Sequence, residues 1–291
     1  MKTALAYIPL AERFHRLSIW LAQEAFYWPV GLFYATSRGQ TFTKKALAYG
    51  MKRQCNKEIA EKIIPTYAPG CKRICRTDDY IPALGKSNVE LVSSGLADVK
   101  KDAVVDANGK HYQVDAVIYA TGFKVGSIGP VAITGSNGNS VSGTDFADKT
   151  VEAYLGTSIP DFPNMFMVLG PNSGIGHNSA FLVIEIQVNY IVRMLCEAID
   201  NDIETVEVSR ATVAKYYEWL WPALENRVWT QGGCNSWYLN KQGKAFSLYP
   251  GSTLQLMYEG ITAPSLVESY KLKPLPKNGK LFINKNSKQK Y

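Results

Sequence analysis

Two stretches decide how this chain is read: VDAVIYATGF at residues 114–123 and FPNMFMVLGPNSGIGHNS at residues 162–179. In the first, Asp115 leads an apolar run (Ala116, Val117, Ile118, Tyr119, Ala120) that stops at Thr121-Gly122. A run too short for a helix and closed by glycine predicts a strand buried on both faces, as in a parallel sheet. The second repeats the pattern: residues 165–169 are apolar, Gly170-Pro171 breaks them, and Gly174 and Gly176 follow. A long apolar-periodic segment then begins near Asn178. Strand, glycine turn and helix in that order is the layout of a dinucleotide site at the carboxyl ends of parallel strands.

Around these stretches the chain divides by composition. Residues 1–64 are helical in pattern, with Leu17, Trp20 and Leu21 at three- and four-residue spacing, and a second helix is expected over roughly residues 44–64. Residues 65–114 shift towards strands and turns. Residues 88–92 read as a short strand, and residues 104–106 and 110–114 as a hairpin closed by Ala107-Asn108-Gly109. Residues 124–149 are rich in Gly, Ser and Asn and predict a loop or an ornamented hairpin. A strong helix is expected over residues 183–200, with Ile184, Val188, Ile191 and Leu195 on its buried face. Another is expected over about residues 209–228, with Ser209 as N-cap. From Ala263 onward the pattern loses structure, and residues 266–291 form a basic tail.

Composition bounds the function. With 291 residues, 46% hydrophobic and 20% charged, the chain is long enough for one or two domains with a proper core. The net charge of +7 is concentrated near the end, at Lys271, Lys273, Lys277, Lys280, Lys285, Lys288 and Lys290. A local run of that kind predicts a solvated surface and no nucleic-acid partner. Five scattered cysteines (Cys55, Cys71, Cys75, Cys196, Cys234) include no zinc set, and the expectation is free thiols in a reducing, cytoplasmic setting without a bound metal. No signal peptide is visible, and the most lipophilic segment, residues 17–34, is interrupted by Gln23, Glu24 and Pro29, so no membrane span is expected.

ATGF at residues 120–123 and LGPNSGIGHNS at residues 169–179 resemble the flavin-dependent monooxygenases of the Baeyer–Villiger and related flavin-containing (class B) type. The resemblance extends from about Ile63 to Gly251. It implies an α/β fold, the C-terminal portion of a flavoprotein with two dinucleotide-binding domains, with a helical segment at the N-terminus. Residues 1–64 would then be a helical insertion, 65–114 the end of the NADP-binding domain and 115–265 the C-terminal part of the FAD-binding domain. The cofactors implied are FAD and NADP. The GxGxxG fingerprints that such an enzyme places at both cofactors do not occur in this sequence. The chain therefore reads as the C-terminal part of such an enzyme, with the missing N-terminal half as a possible partner.

The same resemblance assigns roles. Gly70-Cys71-Lys72-Arg73, followed by Asp78-Asp79-Tyr80, is similar to the family's G-x-K-R stretch. There the arginine sits above the flavin, so Arg73 is the catalytic candidate, and Lys72 would pair with the extra phosphate of NADP. A permanently charged guanidinium suits this task because oxygenation of a carbonyl creates anionic oxygens. Thr121 and Gly122 are flavin candidates, through a hydroxyl and a closely approaching backbone. In the glycine turn, Gly170, Asn172, Gly176 and Asn178 are cofactor candidates, their backbone N–H groups lying at a positive helix end. Asn172, Asn178 and Ser179 serve equally well as helix caps, and His177 as a hydrogen-bonded fixture or a base. Trp237, in Cys234-Asn235-Ser236-Trp237-Tyr238, would bond a ribose and exclude water, or is an ordinary buried tryptophan. Two functions follow: an NADPH-, FAD- and O2-dependent oxygenase acting on a ketone (alternatively on a soft nitrogen or sulfur), or a non-catalytic remnant.

Overall fold

The computed structural model describes residues 10–28, 31–75, 77–123, 131–142, 145, 149–263 and 269–276. Its contacts divide the chain into two compact units, each discontinuous in sequence. The first comprises Met1–Thr41, Tyr67–Arg73 and Val125–Tyr291; the second comprises Phe42–Thr66 and Ile74–Lys124.

In the first unit, α1 spans Ala11–Tyr27. A small hairpin pairs β4 (Ile133–Thr134) with β5 (Ser140–Val141). Helix α5 spans Ala180–Asp200 and starts at Ser179, whose hydroxyl accepts the Phe181 N–H. Strand β6 (Ile203–Val208) pairs antiparallel with β7 (Tyr270–Pro274), with Val206 opposite Leu272. Helix α6 (Arg210–Glu225) is capped by Ser209, whose Oγ accepts the Thr212 N–H. The short α7 (Val228–Gln231) and α8 (Thr253–Thr262, capped by Ser252) complete the unit. Its core is unusually aromatic: Tyr27, Phe33, Tyr190, Tyr216, Tyr217, Trp229 and Tyr238 are buried together with Val208, Leu220 and Leu224.

The second unit is smaller. Helix α2 (Arg38–Lys52) begins in the first unit and lies mostly here. Asn56 then breaks the helical path and caps α3 (Lys57–Ile63) by accepting the Ile59 N–H, so the single helix expected over residues 44–64 is two. After α4 (Tyr80–Leu84) comes an antiparallel sheet ordered β1 (Leu96–Val99), β2 (Ala103–Asp106), β3 (His111–Gln113). The expected Asn-Gly hairpin is present, with Gly109 at φ +82°. Asp106 holds it from inside, accepting from Ser94 Oγ, the Asn108 and Lys110 N–H groups and Tyr112 Oη. The strand expected over residues 88–92 is absent; the pairing instead selects Leu96–Val99.

Three further expectations are corrected. Residues 114–120 and 165–169 form no strand, and the first run is exposed, with Ile118 at 92% and Phe123 at 95%. A strand exists only by pairing with a neighbour, and no described strand pairs with either segment. The backbone of the second is used elsewhere: Met167 N–H bonds to Thr157 O, and Leu169, at φ +56°, gives its N–H to the Gln187 side chain. The buried face of α5 is Val183, Ile186, Gln187, Tyr190, Met194 and Ala198, whereas Val188 and Leu195 are exposed. This helix is apolar on more than one stripe, and its neighbour chose between them. Gly260 of α8 faces Ile186 so closely that a Cβ would stand 2.9 Å from its Cγ2.

The third correction concerns sulfur. Cys71 and Cys234 form a disulfide, with Cα atoms 6.2 Å apart across 163 residues of sequence, while Cys55, Cys75 and Cys196 are free. Spacing along the chain carries no sign of so distant a pair. The expected basic tail falls mostly outside the described residues, as do Lys277, Lys280, Lys285, Lys288 and Lys290. Lys271 and Lys273 lie on β7 and pair with Glu207 (3.0 Å) and Glu204 (2.8 Å). No described helix is long and apolar enough to cross a membrane, and no described group of His, Cys, Asp and Glu is arranged to hold a metal.

Candidate functional site

The glycine turn at residues 170–179 is built largely by internal packing. Asn172, at φ +53° and 1% exposed, ties it to the segment after Trp237. Its side-chain N–H groups donate to Ala245 O (2.7 Å) and Leu248 O (3.1 Å), and its Oδ1 accepts from Tyr217 Oη (3.1 Å). Every hydrogen-bonding position of that amide except one acceptor lone pair is thereby used. A Cβ on Gly170 would meet Gly156 O at 2.4 Å, and one on Gly174 would meet Ser247 O at 2.7 Å. The backbone must approach closely at both positions, and what it approaches is this protein's own chain.

The end of the turn is different. Among the described residues no partner is found for the N–H groups of Gly176, His177 and Asn178. They lead directly into the 21-residue α5, whose aligned peptides concentrate positive potential at this end. Asn178 gives its side-chain N–H to Thr253 Oγ1, and its Oδ1 accepts the Ser179 N–H, leaving Ser179 as the cap of α5. Unpaired N–H groups leading into a helix start fit an electron-rich, anionic ring edge, so this part of the turn suits a reduced flavin.

Phe33 joins this turn to the Gly70-Cys71-Lys72-Arg73 segment. A Cβ on Gly176 would lie 2.9 Å from Phe33 Cε1, and one on Gly70 would lie 3.1 Å from the same atom. Trp229, tilted against Phe33 at 5.5 Å, donates its indole N–H to Gly70 O at 3.2 Å. Ala68 N–H bonds to Gly232 O at 2.8 Å, and the Cys71–Cys234 bond closes the arrangement. Beyond these ties Lys72 and Arg73 are exposed. The Lys72 ammonium sits 5.3 Å over the Tyr67 ring. Trp237, 48% exposed, packs against Tyr238 with ring centroids 4.6 Å apart.

His177 is a fixture. Its side chain is 2% exposed, its Nε2 lies 3.1 Å from Glu24 Oε1, and its ring packs between Tyr27 and Phe33. Burial pushes the imidazole pKa down, outweighing the Glu24 carboxylate, which favours the charged form. Glu24 also accepts the Thr253 N–H, holding the first turn of α8 against α1.

Thr121 and Gly122 belong to the second unit and are exposed. Gly122 adopts φ +89° with open space around its Cα, so its freedom is spent on conformation and not on close packing. Phe33, Glu24, Tyr238 and the cystine were not singled out in the sequence. Cys71 and Cys234 each sit inside a segment that was, which is the one signal that could have paired them.

No protein-family model matches the chain. It is 33% identical over 249 residues to a Baeyer-Villiger monooxygenase of Pseudomonas aeruginosa, covering 85% of this chain and 46% of that protein. A Baeyer-Villiger monooxygenase of Streptomyces coelicolor is 33% identical over 250 residues, 81% of this chain and 47% of the relative. Among solved structures, cyclohexanone monooxygenase from Rhodococcus bound to NADP+ superposes with a TM-score of 0.70 at 24% identity, over 83% of this chain and 46% of that one. Oxidized steroid monooxygenase bound to NADP gives 0.71 at 23% identity, over 83% and 47%. The chain spans about half the length of the curated relatives it matches. Its sequence and its mixed helix-and-sheet fold correspond to the C-terminal part of the flavin-dependent, Baeyer–Villiger-type monooxygenases.

Proposed function

We propose that this chain is the part of a flavin monooxygenase that supplies the oxygen-transfer cation and one wall of the cofactor site. The reaction is NADPH- and O2-dependent insertion of one oxygen atom into a ketone, with the second oxygen leaving as water. One observation supports this reading above others: the turn carrying Lys72 and Arg73 and the turn with the unpaired N–H groups abut the same Phe33 ring. Charge for anionic oxygens and donors for an electron-rich ring thus come from one rigid core.

FAD, reduced by NADPH, supplies the activated oxygen when bound. The chain's own residues then divide the remaining work. Arg73 stabilises negative charge developing on the substrate carbonyl oxygen without giving up a proton. Lys72 holds the extra phosphate of NADP, and Trp237 bonds a ribose and excludes water. The N–H groups of Gly176, His177 and Asn178 face the flavin, and Thr121 and Gly122 are the flavin candidates carried by the second unit. Gly170 and Asn172, used by internal packing, act on the cofactor only by shaping the turn. In this reading residues 65–114 belong to the NADP-binding domain and 115–265 to the FAD-binding domain.

The exposed apolar run at residues 114–123 supports a further polypeptide as partner, one bringing the phosphate-cradling glycine loops. A cytoplasmic location is part of the proposal and is open to the same chemistry: in a reducing compartment Cys71 and Cys234 are expected as thiols.

The test uses the full chain, incubated with FAD and then co-expressed with a polypeptide carrying both GxGxxG loops. Bound yellow flavin and cyclic-ketone-dependent NADPH oxidation, lost in Arg73→Ala, are expected. Absence of flavin binding in both preparations overturns the reading. A non-catalytic role is the alternative, favoured by the internal use of Gly170, Gly174 and Asn172.

A further inference from the structure

Residues 165–169 form no strand, yet their bonds alternate as a strand's do. Met165 gives its N–H to Phe162 O (3.3 Å), Met167 to Thr157 O (2.8 Å) and Leu169 to the Gln187 side chain (2.8 Å). Between them, the N–H groups of Phe166 and Val168 find no partner among the described residues. The side chains alternate as well. Met165 and Met167 pack against Val141, Ala153, Ile159 and Phe162, whereas Phe166 packs against the large aromatic core. In a strand, successive residues turn their backbone groups to opposite edges and their side chains to opposite faces. Here one edge is satisfied, both faces are covered, and the other edge is unpaired.

The helix that follows is unfinished on one flank. Phe181, Val188, Val192 and Leu195 of α5 are between 40% and 74% exposed, with Ile184 and Ile191 half-buried beside them. They recur every three or four residues and so share one side of the helix. Val188 stands two residues from Ile186, about 200° around the axis, so this flank faces away from α8. The Leu169–Gln187 bond ties the segment to the helix, making one strand–turn–helix unit that lacks a neighbour.

We propose that Phe166 and Val168 are a docking edge for one further β-strand, and that the exposed flank of α5 is buried in the same association. The occupant is a strand from the half of the enzyme that the relatives carry and this chain does not span. The inference rests on the reading given above, which calls for such a partner without giving it a place. Unpaired main-chain groups on an edge are met by strand addition, because only another backbone supplies donors and acceptors at their spacing. The incoming strand is apolar on both faces, since apolar clusters cover both faces of residues 165–167 and the α5 flank is apolar too. The matched relatives are about twice as long as the stretch they share with this chain, which leaves ample polypeptide to supply it.

The experiment follows backbone amide exchange in the full chain, alone and co-expressed with the N-terminal half of the Pseudomonas aeruginosa relative. In the chain alone, the Phe166 and Val168 amides should exchange at least about tenfold faster than that of Met167. In the complex they should slow at least about tenfold, with Met167 little changed. Val168→Pro removes an edge donor that the chain itself does not use, and should weaken association at least about tenfold. If that variant fails to fold, Val188→Lys with Leu195→Lys, on the exposed flank, decides: association as tight as with the unmutated chain overturns the proposal. No complex overturns it, as does a complex in which Phe166 and Val168 exchange as they do in the chain alone. Slow exchange at both amides in the chain alone also overturns it, and in a dimer by sedimentation assigns the edge to a second copy. Failure of the oxygenase reading would look different, as a complex with both amides protected that binds no flavin.

Discussion

Gly176 lies against the face of Phe33 so closely that a methyl group in place of its hydrogen would stand 2.9 Å from Cε1. Phe33 is 3% exposed and is backed by Trp229, whose Cζ2 is 3.3 Å from the same point, so neither ring has room to retreat. One ring thus sets the distance between the Gly70 turn and the start of α5.

Gly176→Ala should accordingly destabilise the protein by about 1–3 kcal/mol, the usual cost of overpacking. Gly95→Ala is the control, since nothing lies within 4 Å of its Cβ position; it should shift stability by no more than about 0.5 kcal/mol. Denaturant midpoints of the two variants check this.

Asn172→Ala removes two donors and an acceptor from a site that is 1% exposed. Ala245 O, Leu248 O and Tyr217 Oη lose a partner, and the φ of +53° suits Asn better than Ala. A loss of about 2–4 kcal/mol is expected, combining buried unsatisfied groups with backbone strain, and is measurable by chemical denaturation.

The His177 imidazole has a folded-state pKa below its unfolded value, because burial disfavours the charged form more than Glu24 favours it. The unfolded chain therefore binds the proton more readily. The resulting stability is fully present above the unfolded value of about 6.5 and is lost as pH falls towards the folded pKa. Unfolding free energy measured from pH 8 to 5 should be flat at first and then decline, by at most about 1.4 kcal/mol per unit from this group. His177→Gln should reduce that decline; an unchanged profile would contradict it.

Alkylation of the denatured, unreduced protein should modify three cysteines, Cys55, Cys75 and Cys196, and all five only after reduction. Loss of the long-range bond should lower stability by about 2–4 kcal/mol. Mass spectrometry and thermal melts of the Cys71→Ser and Cys234→Ser variants provide the measurements.

Ser179→Ala and Ser209→Ala each remove a hydroxyl that accepts an otherwise orphaned N–H at a helix start. Each should cost about 1 kcal/mol, with Ser209 the larger because its 3.0 Å bond is shorter than the 3.3 Å bond of Ser179.

Local chemistry was legible wherever neighbours in sequence are also neighbours in space. The Asn108-Gly109 turn, the Ser209 cap, the span of α5 and the motif segments at residues 70–73 and 169–179 all depend on groups within a few residues. That is why the family could be read from them. Residues 114–120 and 165–169 misled for a complementary reason: apolar β-type composition says that a segment can join a sheet, and only partner strands make it do so. The face of α5 was likewise ambiguous, because Ile184 and Val188 are as apolar as Ile186 and Tyr190. Gly260 settled it by letting α8 come close.

What the sequence determined alone was the set of elements, the turn chemistry and the kinship. What tertiary structure decided was which backbone the turn glycines touch, that Asn172 is consumed by the fold and that Cys71 meets Cys234. Several of these contacts, among them Asn172 with Ala245 and Cys71 with Cys234, span 70 or more residues of chain. No local pattern encodes them, because such distances are closed by burial of the common aromatic core, which acts on the chain as a whole.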